Sequence, residues 1–237
     1  MQYKTAFVLL HKLRESVKVT EAGDKTKLKG TVQIDGAYAH TYMRPKNRKA
    51  DRSDRRKAEH QNPLKCVVLV LREIGKPGEG ALRTKVVVLP AEDEAYVWPT
   101  VQALVEPGTV IMTDEAPGYT VLGARYEHHV VCHAEEYQTP DGINENQAES
   151  FFARFRCMFA GQIHHCNPKY LDVYAEEVAY REDLRRRDNG YMVGNLLSRC
   201  LRRVPSRDFC GYWQGNHRTQ GALAMPPISA ASLSPLS

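Results

Sequence analysis

Three carboxylates in this 237-residue chain are spaced so that they could share divalent cations. Asp35, in "LKGTVQIDGAYAH", ends the first apolar strand on its polar face, with Thr31 and Gln33 beside it and Val32 and Ile34 opposite. Asp114, in "TVIMTDEAPGY", ends a second short strand. Glu149 lies in "NENQAESFFARFRCMF", residues 144 to 159. Projected at about 100° per residue, this segment is a helix with Ala148, Phe151, Phe155, Met158 and Phe159 on one face. Glu145, Glu149 and Arg156 form the other face, with Asn146 and Ala153 at its edge. Hard cations prefer oxygen ligands, and three carboxylates can hold two Mg²⁺ or Mn²⁺ ions about 3.5–4 Å apart. Such a pair polarises a phosphodiester, activates a water or 3′-hydroxyl and stabilises the leaving oxygen. Arg156, two turns beyond Glu149, would reach a phosphate beside them. Each residue singly has a plainer use. A strand-end aspartate is usually a turn former, and charges opposite an apolar stripe are the solvated face of an ordinary helix.

The scaffold must therefore bring two strand ends and one helix face into a single crevice. Residues 3 to 18 read as an amphipathic helix with Phe7, Leu10, Leu13 and Val17 on one face. The strand carrying Asp35 follows, then a basic segment, then two apolar runs, "KCVVLVLREI" and "TKVVVLPA", joined by the turn-rich "GKPGEG". These predict three antiparallel strands. "EDEAYVWPTVQALV" reads as a helix despite Pro99, "TVIMTD" as a strand and "HHVVCH" as another. Helices are expected over 144–160, around 168–185 and around 189–203. Three meandering strands, a helix, a parallel strand and then helices is the element order of an α/β, ribonuclease-H-like (retroviral-integrase-like) mixed sheet flanked by helices. In such a sheet the first and fourth strands are neighbours, and Asp35 and Asp114 can point into one crevice.

The blocks "LKGTVQIDGAYAH", "VIMTDEAPGY", "YEHHVVCH", "NENQAESFFARFR", "GQIHHCNPKYLDVYAEEVAYRED" and "GYWQ" occur in an order that resembles one bacterial transposase group. This is the insertion-sequence family IS fifteen-ninety-five, with its Asp–Asp–Glu core. The resemblance runs from about residue 3 to about 215. It implies metal-dependent hydrolysis at transposon ends, then attack of the freed 3′-hydroxyls on target DNA. It carries the catalytic aspartates onto Asp35 and Asp114, and an Asn-x-x-Glu pair onto Asn146 and Glu149. The helix cation falls on Arg156, where lysine is common in the family. A second departure is Gly36, where an acidic residue often follows the first aspartate. Family members also begin with a zinc ribbon and a helix-turn-helix. Residues 1–27 are expected to be the last helix of that module and a linker, 28–203 the catalytic core, and 204–237 a largely disordered extension.

Composition is globular, with 42% hydrophobic and 26% charged residues, and no apolar run approaches the roughly 18–20 residues that span a bilayer. Six scattered cysteines without a Cys-x-x-Cys pair suit reduced thiols in a cytosolic protein; the resemblance implies a bacterial cytoplasm, with the chain on the nucleoid when bound to DNA. The net charge of +5 is concentrated between Met43 and Pro63, where eight Lys/Arg face three acids. Arg44, Lys46, Arg48, Lys49, Arg52, Arg55, Arg56 and Lys57 are the expected phosphate contacts, although such a run is often only a solvated loop. His128, His129, Cys132 and His133 match no zinc-finger spacing, and a strand alternates their faces. The reading is a two-metal DNA transposase core, homo-oligomeric on DNA. Its rival is a catalytically inactive DNA-binding remnant.

Overall fold

The computed structural model describes residues 2–39, 48–49, 65–76, 78–131, 146–164, 166–203, 205–206 and 208–216. Strands β1 (Thr31–Ala39), β2 (Cys66–Ile74) and β3 (Ala81–Leu89) form an antiparallel meander. Helix α2 (Glu94–Leu104) then carries the chain across the sheet to β4 (Val110–Thr113), which runs parallel to β1; β5 (Glu127–Val130) adds in parallel beside it. The order β3-β2-β1-β4-β5 is the ribonuclease-H-like arrangement expected from the order of elements along the chain. Helices α1 (Tyr3–Gly23), α3 (Asn146–Met158), α4 (Leu171–Asp183) and α5 (Asn189–Leu201) complete the chain.

Both faces of the sheet are covered, and the alternation of β2 shows why its sequence is an unbroken apolar run. Val67, Leu69 and Leu71 join Val32, Ile34 and Ile111 in a core closed by Val97 and Val101 of α2 and by Tyr119 and Leu122. Cys66, Val68 and Val70 face the other way, into a core with Phe151, Phe152 and Phe155 of α3 and Val173 and Val178 of α4. Asp93 caps α2 by accepting the Tyr96 amide, so Pro99 is accommodated inside a helix that is secured at its start.

Two expectations need correction. Asp35 does not end its strand: β1 continues four residues to Ala39 because β2 keeps pairing with it, through Ala39 opposite Cys66. Pairing with β4, in contrast, stops at Gln33 opposite Met112. In α1 the Phe7–Leu10–Leu13–Val17 stripe is only partly inward: Val17 is buried and Phe7 packs against the core, but the buried face is centred on a more polar row. Leu10 is 48% exposed, while His11, Glu15 and Ser16 are buried. The helix is turned by its charges: Arg203 reaches Glu15 at 2.7 Å, Arg14 reaches Glu177 at 2.6 Å and Arg199 reaches Glu21 at 2.8 Å. Leu10, Leu13 and Val17 instead line a groove against Met192, Val193 and Leu196 of α5.

One buried cation ties sheet to helices. Arg72 of β2, fully buried, donates to the Gln147 carbonyl at 2.6 Å and to Glu182 of α4 at 3.3 Å. Arg72→Met leaves Glu182 dependent on the half-exposed Arg154, at 3.0 Å, and strands the buried carboxylate. The expected loss is about 3 kcal/mol, or roughly 6–12 °C in melting temperature for a chain of this size, read by thermal denaturation.

Candidate active site

The site forms where β1 and β4 part. In their parallel register Thr31 faces Val110 and Gln33 faces Met112, so one further side-chain repeat sets Asp35 beside Asp114. Both point to the face covered by α3, because Ile34 and Ile111 point to the α2 face. At Asp114 the chain turns away from the sheet. Its Oδ1 accepts the Ala116 amide at 3.0 Å, so the aspartate makes the turn as well as contributing its charge. Asp35 Oδ1 accepts the Gly36 amide at 2.7 Å. Each carboxylate thus has one oxygen held by backbone and a second available to a ligand.

Helix α3 is fastened to β1 at the level of the site. Gln33, buried in the strand two residues before Asp35, accepts the amides of Gln147 and Ala148 at 3.0 and 3.3 Å with its side-chain oxygen. These are donors that a helix start otherwise leaves without partners. Ala148, Phe151, Phe152 and Phe155 bury the inner face. Asn146, Glu149 and Arg156 are all exposed on the outer surface of α3, and the Arg156 guanidinium lies 5.8 Å from the Phe152 ring centroid. Burial pushes the Asp35 carboxyl up to about 7; Asp114, Glu92 and Glu149 push it the same way by repulsion, against the opposing Gly36 amide. The structure therefore brings Asp35, Asp114 and Glu149 into one electrostatic neighbourhood.

A fourth carboxylate joins them. Glu92, in the loop between β3 and α2, accepts the Tyr119 hydroxyl, and burial and Asp114 raise its carboxyl above its ordinary range. Its position accounts for Gly36: a Cβ there would overlap the Glu92 carboxyl group. In the sequence Glu92 reads only as part of a helix start. The available signal was the glycine, since a glycine inside a strand marks a close approach.

Among the described residues no three His, Cys, Asp or Glu side chains already stand in a ligand shell. The donor chemistry nonetheless suits a hard cation. The strongest charges acting on Asp35 are all negative, and the available atoms are carboxylate oxygens. The histidines of β5 are engaged elsewhere: His128 contacts Thr113 Oγ1 at 2.8 Å and His129 contacts Glu127 at 3.0 Å. Cys132, His133 and Glu145 lie outside the described residues, as do Arg44, Lys46, Arg52, Arg55, Arg56 and Lys57. Arg48 and Lys49 are described and exposed. Of the extension expected over 204–237, residues 205–206 and 208–216 are described, and 217–237 also lie outside the described residues. No helix of the described residues is long and apolar enough to cross a membrane.

A family model described as the ISXO2-like transposase domain matches residues 27–183. Among solved structures, the chain is similar to a Mos1 transposase in a paired-end complex with the left transposon end. The identity is 13% and the TM-score 0.23, over 83% of this chain and 63% of that one. The chain thus spans less than two thirds of that protein's length, and the fold assignment rests on strand order and connectivity instead. No curated protein matches the chain.

Proposed function

This chain belongs to the ISXO2-like transposase domain family, and from that premise we propose that it is the catalytic core of a metal-dependent DNA transposase. The observation that carries the reading is the juxtaposition of Asp35 and Asp114 where β1 and β4 diverge, with Glu149 close enough to act on Asp35. Asp35, Asp114 and Glu149 would hold Mg²⁺ or Mn²⁺, most economically two ions. When bound, these cations supply Lewis-acid polarisation of the phosphodiester and a lowered pKa for the attacking water or 3′-hydroxyl.

The chain's own residues do the rest. Gln33 and the α3 core fasten the start of α3 to strand β1, so that the backbone carrying Glu149 does not have to be ordered at the moment of reaction. Arg156 offers a permanent positive charge on the same helix to a non-bridging phosphate oxygen. Asn146, one turn before Glu149, offers an amide to orient the attacking group or the helix start. Hydrolysis at the transposon end would free a 3′-hydroxyl, which then attacks a target phosphodiester, with no covalent link between protein and DNA. Incubation of the chain with supercoiled DNA tests this reading. Strand breaks that require Mg²⁺ or Mn²⁺ and disappear with EDTA are expected; binding without breaks in either metal would leave the DNA-binding remnant instead.

The basic segment supplies the proposed phosphate contacts. Replacing Arg52, Arg55, Arg56 and Lys57 together by alanine should weaken binding to all duplexes alike. It should also flatten the slope of log K against log salt by up to about 0.9 per lost contact. An unchanged slope in a filter-binding or anisotropy titration would reduce the segment to a solvated insertion.

A further inference from the structure

Glu92 is placed by four separate features of the fold. Asp93, its neighbour, is the N-cap of α2, which anchors the loop to a rigid element. Gly118 packs against the backbone of residue 92 so closely that a Cβ there would stand 2.7 Å from the Glu92 carbonyl oxygen. Tyr119, fully buried, donates its hydroxyl to Oε1 and so orients the carboxyl group. Gly36, immediately after Asp35, leaves empty the volume that the carboxyl group enters.

Two glycines and a buried phenol are a large investment in the position of one half-buried acid. A carboxylate next to Asp35 and Asp114 gains nothing from its charge there, because its neighbours repel it. Evicting a like charge from such a place is easy for a surface loop, and the fold does the opposite. The arrangement becomes favourable once a cation lies between the groups. With Oε1 held by Tyr119, Oε2 is the atom left to face it, as in Asp35 and Asp114, where one oxygen is also tied to a protein donor.

We propose that Glu92 is a fourth carboxylate of the cation site, with Tyr119 as its positioning residue and Gly36 and Gly118 as the gaps that admit it. The inference rests on the transposase-core reading of Asp35, Asp114 and Glu149. It enlarges the donor set on the side of the sheet away from α3. Glu149 then closes the site from one face and Glu92 from the other, while the two aspartates form the floor.

The test is Mn²⁺ binding by the whole chain without DNA, measured by electron paramagnetic resonance of free Mn²⁺ and by calorimetry, with Mg²⁺ as competitor. Glu92→Gln is expected to weaken Mn²⁺ binding by about 10- to 100-fold. Gly36→Ala should do nearly as much, because its methyl group displaces the flexible end of Glu92 without removing the acid. Tyr119→Phe should weaken binding less, since the carboxylate stays but loses its tether. A purely structural brace would show lower melting temperatures in these variants with Mn²⁺ affinity unchanged. Asp114→Asn provides the reference. If it weakens Mn²⁺ binding while Glu92→Gln and Gly36→Ala stay within about twofold of the parent, well inside the tenfold step that corresponds to 1.4 kcal/mol, Glu92 is no ligand. If Asp114→Asn also leaves Mn²⁺ binding intact, the cation-site reading falls and this inference falls with it. Should Glu92→Gln not fold, Gly36→Ala carries the decision, because it retains every charged group.

Discussion

Asp114→Asn should lower divalent-dependent DNA nicking by at least about 10³-fold, the loss of roughly 4 kcal/mol of transition-state stabilisation. The turn survives the change, because the asparagine side-chain oxygen can still accept the Ala116 amide. What disappears is one of the carboxylates proposed to face the cations. Burial of Asp35, with repulsion from the neighbouring acids added to it, gives a second, independent signature. Its carboxyl group titrates at about 7 in the folded chain against an ordinary 3.8. The folded protein therefore holds a proton that the unfolded chain has released, and metal-free stability falls as pH rises from about 4 to about 7. Asp35→Asn removes that penalty. It should melt roughly 4–8 °C above the parent at pH 8, about 2 kcal/mol after allowing for partial exposure, and no higher at pH 4. Added Mg²⁺ should reverse the order by stabilising the parent alone. A parent whose melting temperature ignores both pH and Mg²⁺ would contradict the cation site.

The second large effect lies on α3. Glu149→Gln is expected to lose nearly all metal-dependent cleavage, while Asn146→Ala loses part of it. Glu145→Gln, four positions earlier in the sequence, should lose little. The helix is held at Gln147 and Ala148 by Gln33, so Glu149 projects from backbone that is already fixed. Arg156→Lys should keep most activity because the charge remains, whereas Arg156→Ala should fall by about 10- to 100-fold, the range for a charge-assisted phosphate contact of roughly 1.5–3 kcal/mol. Single-turnover cleavage on one DNA substrate separates these cases. An active Glu149→Gln beside a dead Glu145→Gln would mean that the register of this helix over the metals is wrong. Arg156 would lose its proposed role with it.

The chain's local periodicity already contained the elements. The alternation around Asp35, the unbroken apolar runs of β2 and β3 and the phenylalanine stripe of α3 each specify a strand or helix, because side-chain direction repeats every two or 3.6 residues. Element order then left few topologies, and the ribonuclease-H-like order is the one adopted. Tertiary structure decided what periodicity cannot carry. Gln33 reads as an outward polar residue in β1, yet it is buried as the anchor of α3. Arg72, an ordinary charge near the end of an apolar run, is fully buried because Glu182, 110 positions away, meets it. In α1 polar His11, Glu15 and Ser16 are buried while Leu10 of the apolar stripe is exposed, because acids and bases such as Glu15 and Arg203, or Arg14 and Glu177, met across the helix interfaces. Glu92 entered the site because Gly36 and Gly118, far apart in the chain, both left room for it. Burial and charge pairing depend on what the rest of the chain brings alongside, and no window of neighbouring residues contains that information.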